Sequence, residues 1–598
     1  MKEGIEGWNK AFEAAGFKNA VVAKIMPDDA DWDPGDVRYS VVRWIISHDP
    51  SFSGLGPAMV NPLTGQILKA NVLIEGESIR NLRRGYRNYV IARGSSPAGA
   101  PDLNFETMTH DEIMKSILGE TAPPPAESAM LDGEACDFAA EGMNEAALGA
   151  EAMLARGEIS PYDEVPKEYI DDFIRSLVAH EIGHVLGLRH NFKGSTHLPL
   201  QDLNVPDITG AFGLTSSVMD YLPPNIAPAG VKQGDYFTKT VGPYDIWAIQ
   251  YGYTEFPDAK TPADELPGLQ KIAGRAREPM LAYGTDEDSF WSSPVPFAPD
   301  PTANAFDLSS DVLGFDVQRF QLIEEMWTKY TRFPLGGENY NELRRTFDGL
   351  FSAHRDRAVS AAKFVGGMYM NRFHEPAGPG ADSRPATQPV NVNDQRRALT
   401  ILRDYVFSDD AFQFSDELLK KLAPDRWDQW GKPDLGTVTK IDYPLFDRIT
   451  GERALVLSVL LNPVILRRVT DNELRTRAGI EPLAMPELFA WLSDSVFTEL
   501  RPEGKGAKSG GRGSIPALRR ATQKDYVDQL GRLAVSTGGG TPGDAKALAS
   551  QELRTLDDQI ALYLAAHPAA DEDTRAHLTE LRATIQRLLS GVNEAPIQ

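Results

Sequence analysis

One short run constrains this chain more than any other. Ala179–His190 reads AHEIGHVLGLRH, and the apolar residues Tyr169, Phe173, Leu177, Ile182, Val185 and Leu186 predict one helix over Lys167–Leu188. On such a helix His180 and His184 stand one turn apart on the same face. Two imidazoles so placed can reach one Zn²⁺ at about 2.0–2.1 Å each. Glu181 stands beside the first of them and points toward the open side of that ion, where a water binds. His190 is the difficulty, because in a continuing helix it would lie roughly 15 Å along the axis from His180. The chain must therefore turn sharply after His184. Gly187 is placed to make that turn, since glycine accepts positive φ at little cost and commonly closes a helix. The HExxHxxGxxH spacing thus predicts zinc held by His180, His184 and His190, with Glu181 facing the ion's open side.

Composition narrows the alternatives. The 598 residues include a single cysteine, Cys136, so neither an intramolecular disulfide nor a thiolate metal cluster is available. Lys plus Arg number 61 against 85 Asp plus Glu, a net charge of −24, which argues against a nucleic-acid partner. Hydrophobic residues make up 42%, enough to exclude a wholly disordered chain. No integral membrane segment is expected: the longest apolar stretch, Ala454–Leu466, is too short and carries Asn462 and Pro463. Met1–Gly16 is amphipathic and acidic, without the apolar centre of a secretory signal.

The expected fold class is α+β at the start and mainly α-helical afterwards. Gly4–Ala15 has helical spacing, Asn19–Met26 and Arg38–Ile46 read as strands, Asn61–Gly65 (NPLTG) as a turn, and Gln66–Ile74 as a strand. Residues 75–165 look like an insertion or cover, with a helix at Glu77–Arg93. Another helix is expected at Pro243–Tyr251. Further helices are read at Val317–Tyr330, Tyr340–Phe373, Asn393–Val406, Ser415–Leu422, Ala454–Leu461, Pro486–Glu499, Ile515–Ala534 and Ala545–Ala566. Linkers are read at Glu375–Pro389, Pro502–Ser514 and Ser536–Gly543. Three regions result: a catalytic domain over 1–260, a connecting region over 261–390 and a helical domain over 391–598.

A second element supports the first. Ser216–Tyr221 reads SSVMDY, some thirty residues after His190. Beside HExxHxxGxxH, this loop resembles the Met-turn of the metzincin metallopeptidases. The closer resemblance is to a family of large bacterial zinc-dependent metalloproteases with a Met-zincin domain. It rests on EGIEGWNKAFEAAGF at Glu3–Phe17, HEIGHVLGLRHNFKGS at His180–Ser195, SVMDYLPPN at Ser217–Asn225, GPYDIWAIQYGY at Gly242–Tyr253 and DPTANAFDLSSD at Asp300–Asp311. It covers the first half of the chain; no comparably specific motif stands in the helical half.

The resemblance implies a metzincin-like catalytic fold and a zinc endopeptidase acting on protein or peptide substrates. His180, His184 and His190 would be the ligands, Glu181 the general base and acid, and Met219 the floor under the metal. Tyr221 would steady the oxyanion, and Gln66–Ile74 would be the edge strand that pairs with an extended substrate. Asn191 departs from the better-known metzincin groups, which usually place an acid or Ser after the third histidine. Members usually carry a signal sequence and an upstream domain, so the full-length protein is expected to be exported, periplasmic or extracellular, with its upstream part left out here. Two other readings share the motif: a zinc hydrolase of non-protein amides such as cell-wall peptides, and a binding or scaffold protein with a silent peptidase domain.

Other candidates carry less. His197 reads as a surface-loop histidine rather than a fourth ligand. Asp286, Asp288, Asp300, Asp307 and Asp311 lack the spacing of a calcium loop and read as loop acids, with Ser309 or Ser310 as helix caps. His48, His110, His354, His374, His567 and His577 have no partner pattern, and Cys136 reads as an inert thiol.

Overall fold

The computed structural model describes residues 1–46, 54–56, 58–83, 110–117, 138–160, 163–289, 297–329, 340–373, 385–423, 442–476, 481–500, 514–536 and 540–594. Its main sheet is small. Strands β1 (Val41–Ile45), β2 (Gly54–Leu55), β3 (Ala58–Val60) and β4 (Ile67–Glu75) are arranged around β4. β1 pairs with β4 in parallel, Trp44 opposite Ile74. β3 and β2 both pair with β4 antiparallel on its other side, Ala58 opposite Ala70 and Leu55 opposite Leu73. The NPLTG turn closes the β3–β4 hairpin: Asn61 N–H donates to Gln66 O at 2.8 Å, and Gly65 takes φ +72°. β4, expected as the edge, is therefore central, and β2 with β3 forms the edge. Alternation explains β4's place, since Val72 and Ile74 are buried on one face while Lys69 is buried on the other.

Lys167–Val185 is the helix expected around the histidines. Tyr169, Ile170, Phe173 and Leu177 share a core with Trp8, Phe12, Val72 and Ile74. The N-terminal run forms two short helices, Lys2–Glu6 and Asn9–Ala14, rather than one. They lie against the active-site helix: Trp8 Nε1–H donates to Ala179 O at 2.9 Å, and a side chain at Gly4 would meet Arg175 O at 2.7 Å. The segment read as a strand at Asn19–Met26 is extended but joins no ladder. Side chains hold it instead: Asn9 bridges Val21 through both N–H and C=O, and Glu6 accepts from Ala23 N–H.

Part of the stretch read as an insertion is core. Helix Phe138–Arg156 puts Ala146, Ala150 and Met153 into the core around the active-site helix. Its opposite face, Leu148, Ala152 and Ala155, packs with Ile323, Trp327 and Phe347 of the later helices. A helix apolar on both faces belongs between two layers. Gly149 permits the approach, because a Cβ there would lie 2.4 Å from the Tyr169 hydroxyl.

Among the described residues the later half is helical apart from the hairpin of β5 (Met368–Met370) and β6 (Thr387–Pro389); β6 falls inside an expected linker, whereas β5 takes the end of the helix expected over Tyr340–Phe373, which stops at Ala362. Helices Val312–Lys329, Asn341–Ala362, Val392–Leu402, Leu445–Leu460, Met485–Val496, Ala517–Val535 and Gly543–Ala566 overlap the expected ones. Pro463–Arg475 and Glu572–Glu594 were not expected. The first starts where Pro463 follows the Asn462 cap, whose side chain accepts from Val464 N–H. No single described helix is long and apolar enough to cross a membrane; the bent pair Leu445–Leu460 and Pro463–Arg475 passes by length and composition together. Ala454, Val456, Leu457 and Leu460 of that pair are fully buried in the helical core. The expected linker Pro502–Ser514 lies almost wholly outside the described residues, as does Cys136.

Candidate active site

The active-site helix ends in a tight glycine turn. Leu186 is the C-cap, Gly187 takes φ +90°, Gly187 N–H donates to His184 O at 2.9 Å, and Leu188 N–H donates to Gly183 O at 3.0 Å. These two bonds and the left-handed glycine are a Schellman motif. The reversal returns His190 to the face carrying His180 and His184. The same turn aims Leu188 O at His184 Nδ1, 3.0 Å away.

The three imidazoles converge through Nε2. His184 Nε2 lies 3.1 Å from His180 Nε2 and 3.1 Å from His190 Nε2. Each Nδ1 faces an oxygen: Val218 O at 2.8 Å for His180, Leu188 O for His184, and Asp286 Oδ1 at 2.7 Å for His190. A carbonyl only accepts, so His180 and His184 carry their proton on Nδ1 and leave Nε2 bare. Bare nitrogens cannot hydrogen-bond to one another. A tetrahedral zinc with Zn–N bonds of 2.0–2.1 Å separates its nitrogens by about 3.3 Å, so the donor set fits that ion. Burial lowers His180 well below its ordinary pKa and His184 to about 4, with the neighbouring imidazoles adding to both shifts. The neutral form that binds metal therefore prevails at pH 7. Among the described residues, these histidines are the one group of three or more His, Cys, Asp or Glu side chains close enough to share an ion.

Met219 is fully buried beneath this helix. A Cβ at Gly183 would stand 2.1 Å from Met219 Sδ and 3.0 Å from Trp8 Cζ2, so the glycine lets the sulfur reach the helix between two histidines. The loop is fastened at two successive carbonyls: Val218 O accepts from His180 Nδ1–H, and Met219 O accepts from Asn191 N–H at 3.0 Å. Asn191 also donates to Ala282 O and accepts from Lys193 N–H and Gly284 N–H, which gives the unusual residue after the third histidine a locking role. Behind the loop, buried Asp245 accepts from Ser217 Oγ–H, Val218 N–H and Gly242 N–H at 2.7–2.9 Å. Burial pushes its carboxyl up to about 6 despite those three donors. The Tyr221 ring is buried, centred 4.8 Å from His190 and 5.6 Å from His180. Phe306 N–H donates to Tyr221 O at 2.7 Å.

Glu181 is buried, and the sheet edge passes over it: a Cβ at Gly56, between β2 and β3, would lie 3.0 Å from Glu181 Oε2. The five acids each have protein partners. Asp286 meets His190; burial opposes its ionisation, but His190, Thr285 and Arg189 bring its carboxyl down to about 2. Asp288 pairs with Arg372, Asp300 with Lys193, and Asp307 accepts from Asn304. Asp311, rather than Ser309 or Ser310, caps the next helix by accepting Gly314 N–H at 3.0 Å. His197 is half-buried against Phe212 and is not part of the His180–His184–His190 group. His354 pairs with buried Glu452 at 2.6 Å.

A helix-borne histidine pair, a third histidine returned by a glycine turn and a methionine loop beneath them define a metzincin-type metal site. The chain belongs to the Met-zincin family, whose model matches residues 162–504, more than half of its length. No curated protein and no solved structure matches the chain.

Proposed function

We propose that the chain is a zinc-dependent endopeptidase. The observation that carries this reading is the convergence of three Nε2 atoms, two of them 3.1 Å from the third, behind Nδ1 atoms already committed to oxygen partners. Zinc held there by His180, His184 and His190 would supply Lewis acidity to a peptide carbonyl and lower the pKa of a water. Glu181 takes the proton of the attacking water and hands it to the leaving amine. Its neighbour in sequence is a ligand, so the base needs no separate positioning element. Tyr221 donates its hydroxyl proton in a hydrogen bond to the carbonyl oxygen as charge develops there. Its ring, edge-on to His190, supports that role. An extended peptide pairs by its main chain with the edge formed by β2 and β3, which runs past Glu181 at Gly56.

The test uses the full chain. Zinc content per chain is measured, and cleavage of an unstructured protein is compared for wild type, Glu181→Ala and chelator-treated enzyme. Wild type should hold zinc and cut, Glu181→Ala should hold zinc and not cut, and chelation should abolish cutting. Zinc near zero in wild type, or equal cleavage by Glu181→Ala, would sink the proposal. Tyr221→Phe should lower kcat by about 10²–10³; an unchanged kcat removes the oxyanion role.

A further inference from the structure

The third ligand is held differently from the other two. His180 and His184 donate hydrogen bonds from Nδ1–H to main-chain carbonyls, whereas His190 faces a carboxylate, Asp286 Oδ1, at 2.7 Å. A charge-assisted hydrogen bond of this kind is stronger than one to a carbonyl and makes the opposite ring nitrogen a better donor. Asp286 lies 96 residues from His190 and belongs to no part of the HExxHxxGxxH motif. We propose that Asp286 is a positioning residue for His190, and that the turn carrying it, Thr285–Ser289, is part of the metal site. This rests on the zinc reading above.

The turn is built to hold that carboxylate still. Thr285 N–H donates to Asp288 Oδ2 at 2.9 Å, and Asp288 N–H returns to Thr285 O at 2.8 Å. Asp286 Oδ2 accepts from Thr285 Oγ1–H at 3.1 Å, which fixes its second oxygen while the first faces the imidazole; exposed Arg189 reaches that oxygen only from the solvent side, at 3.2 Å. Arg189 also pairs with Glu287 at 2.8 Å. From the helical half, Arg372 reaches Asp288 at 2.6 Å and lies over the Tyr283 ring, 5.3 Å from its centre. Arg372 follows β5, where Met370 N–H donates to Asp300 Oδ2 at 2.7 Å. The turn that carries Asp286 is thus itself tied, through Arg372, to the later part of the chain.

A rival explanation is that Asp286 only pairs with Arg189. Four full-length variants separate the two. Asp286→Ala removes charge and acceptor, Asp286→Asn keeps an acceptor of the same shape, Asp286→Glu keeps the charge, and Arg189→Gln removes the exposed ion pairs with Asp286 and Glu287 while leaving the Asp286–His190 contact. Zinc Kd is measured by chelator competition, the visible spectrum after replacing zinc by cobalt(II), and thermal unfolding without metal. Asp286→Ala should lose about 10- to 100-fold in zinc affinity and shift the cobalt bands. Asp286→Asn should fall between Ala and wild type with metal-free unfolding unchanged, and Asp286→Glu should recover part of the loss. Arg189→Gln should stay within about threefold of wild type, as expected for an exposed pair. The proposal is overturned if Asp286→Ala and Asp286→Asn bind zinc as wild type does with superimposable cobalt spectra, or if Arg189→Gln loses as much as Asp286→Ala. Wild type that binds no zinc would overturn the zinc reading itself, a result distinct from bound zinc indifferent to Asp286.

Discussion

Replacing Gly183 by alanine sets two effects of opposite sign against each other. Alanine is the better helix former by about 1 kcal/mol, so the change should stabilise an isolated helix. Here the new methyl would lie 2.1 Å from Met219 Sδ, 3.2 Å from its Cε and 3.0 Å from Trp8 Cζ2. Ordinary carbon contacts are about 3.5–4.0 Å, so the sulfur must retreat by more than an ångström. Met219 and Trp8 are both fully buried, and neither has solvent to move into. Overpacking of this kind costs about 1–3 kcal/mol, which offsets the helix gain and leaves a net loss of up to about 2 kcal/mol. The displacement also passes to the metal, because Val218 O and Met219 O hold His180 and Asn191. Zinc affinity should therefore fall by about tenfold, the scale seen when a ligand's support is disturbed.

The assay is denaturant unfolding of the metal-free chain with zinc competition on the folded chain, for Gly183→Ala, Met219→Ala and the double variant. Met219→Ala alone should cost about 2–5 kcal/mol through the cavity it leaves. In the double variant the alanine methyl enters that cavity, so its loss should be smaller than the sum of the singles by about 1–3 kcal/mol. A Gly183→Ala protein that gains about 1 kcal/mol, as helix propensity alone dictates, with unchanged zinc affinity would refute the packing argument.

Gly187→Ala tests the turn rather than the packing: nothing lies within 4 Å of its Cβ, so the cost comes from φ +90° alone. It should destabilise by about 1–2 kcal/mol and weaken zinc binding, read by the same two assays. Asp245→Asn tests the support of the Met219 loop. The Asp245 carboxyl, raised to about 6 by burial, stays protonated in the folded chain between about pH 4 and 6 while the unfolded chain has ionised. Its stabilisation is complete below pH 4 and lost as pH rises through 6, about 3 kcal/mol in full, so the stability difference between wild type and Asp245→Asn should decline across that window. A flat difference from pH 4 to 7 would contradict it. Lys193→Met strands buried Asp300, whose Oδ2 lies 2.6 Å from Lys193 Nζ. It should cost about 3–5 kcal/mol in unfolding experiments, and adding Asp300→Asn should recover part of that loss.

Legibility in the sequence is a matter of range. The helix, its glycine stop and three candidate ligands lie within one window, where periodicity and φ constraints speak directly. The supports do not: Asp286 meets His190 across 96 residues, and Asp245 meets Val218 across 27. No periodicity encodes such a pairing. The resemblance motifs nevertheless contained one of these partners, Asp245, before its purpose was visible, though not Asp286. GPYDIW supplies Asp245 and also Gly242, where a Cβ would lie 2.1 Å from Ser216 O. DPTANAFDLSSD supplies a strap whose Asn304, Phe306 and Ser309 N–H groups donate to Phe192, Tyr221 and Ser195 carbonyls. Phe306 at φ +58° and Ser309 at φ +88° are backbone conformations that only a tertiary setting could impose. The misplaced sheet edge has a similar cause. β2 is two residues long and β3 three, too short to announce themselves by alternation.

The ionic groups around this strap bear on whether the metal site can stand apart from the helical half. Lys193 is buried against Asp300 and Met370 O. Lys363, fully buried, donates to Ala303 O and Asn304 Oδ1, and burial lowers its amine to about 7. Arg357 and Ser360 both meet buried Asp316. Each such charge costs several kcal/mol to take out of water and is tolerated only with its partners in place. Lys193 comes from the segment after His190, Asp300 from the strap, and Met370 from β5, so the partners of one buried charge are drawn from far along the chain, all inside the matched span of 162–504. A boundary near residue 260 would leave His190 without Asp286 and Lys193 without Asp300. Cutting there would expose not one apolar seam but a set of orphaned charges, each adding its own penalty. The stretch from Asp300 to Met370 is thereby tied to the segment after His190 by buried charges as well as by packing.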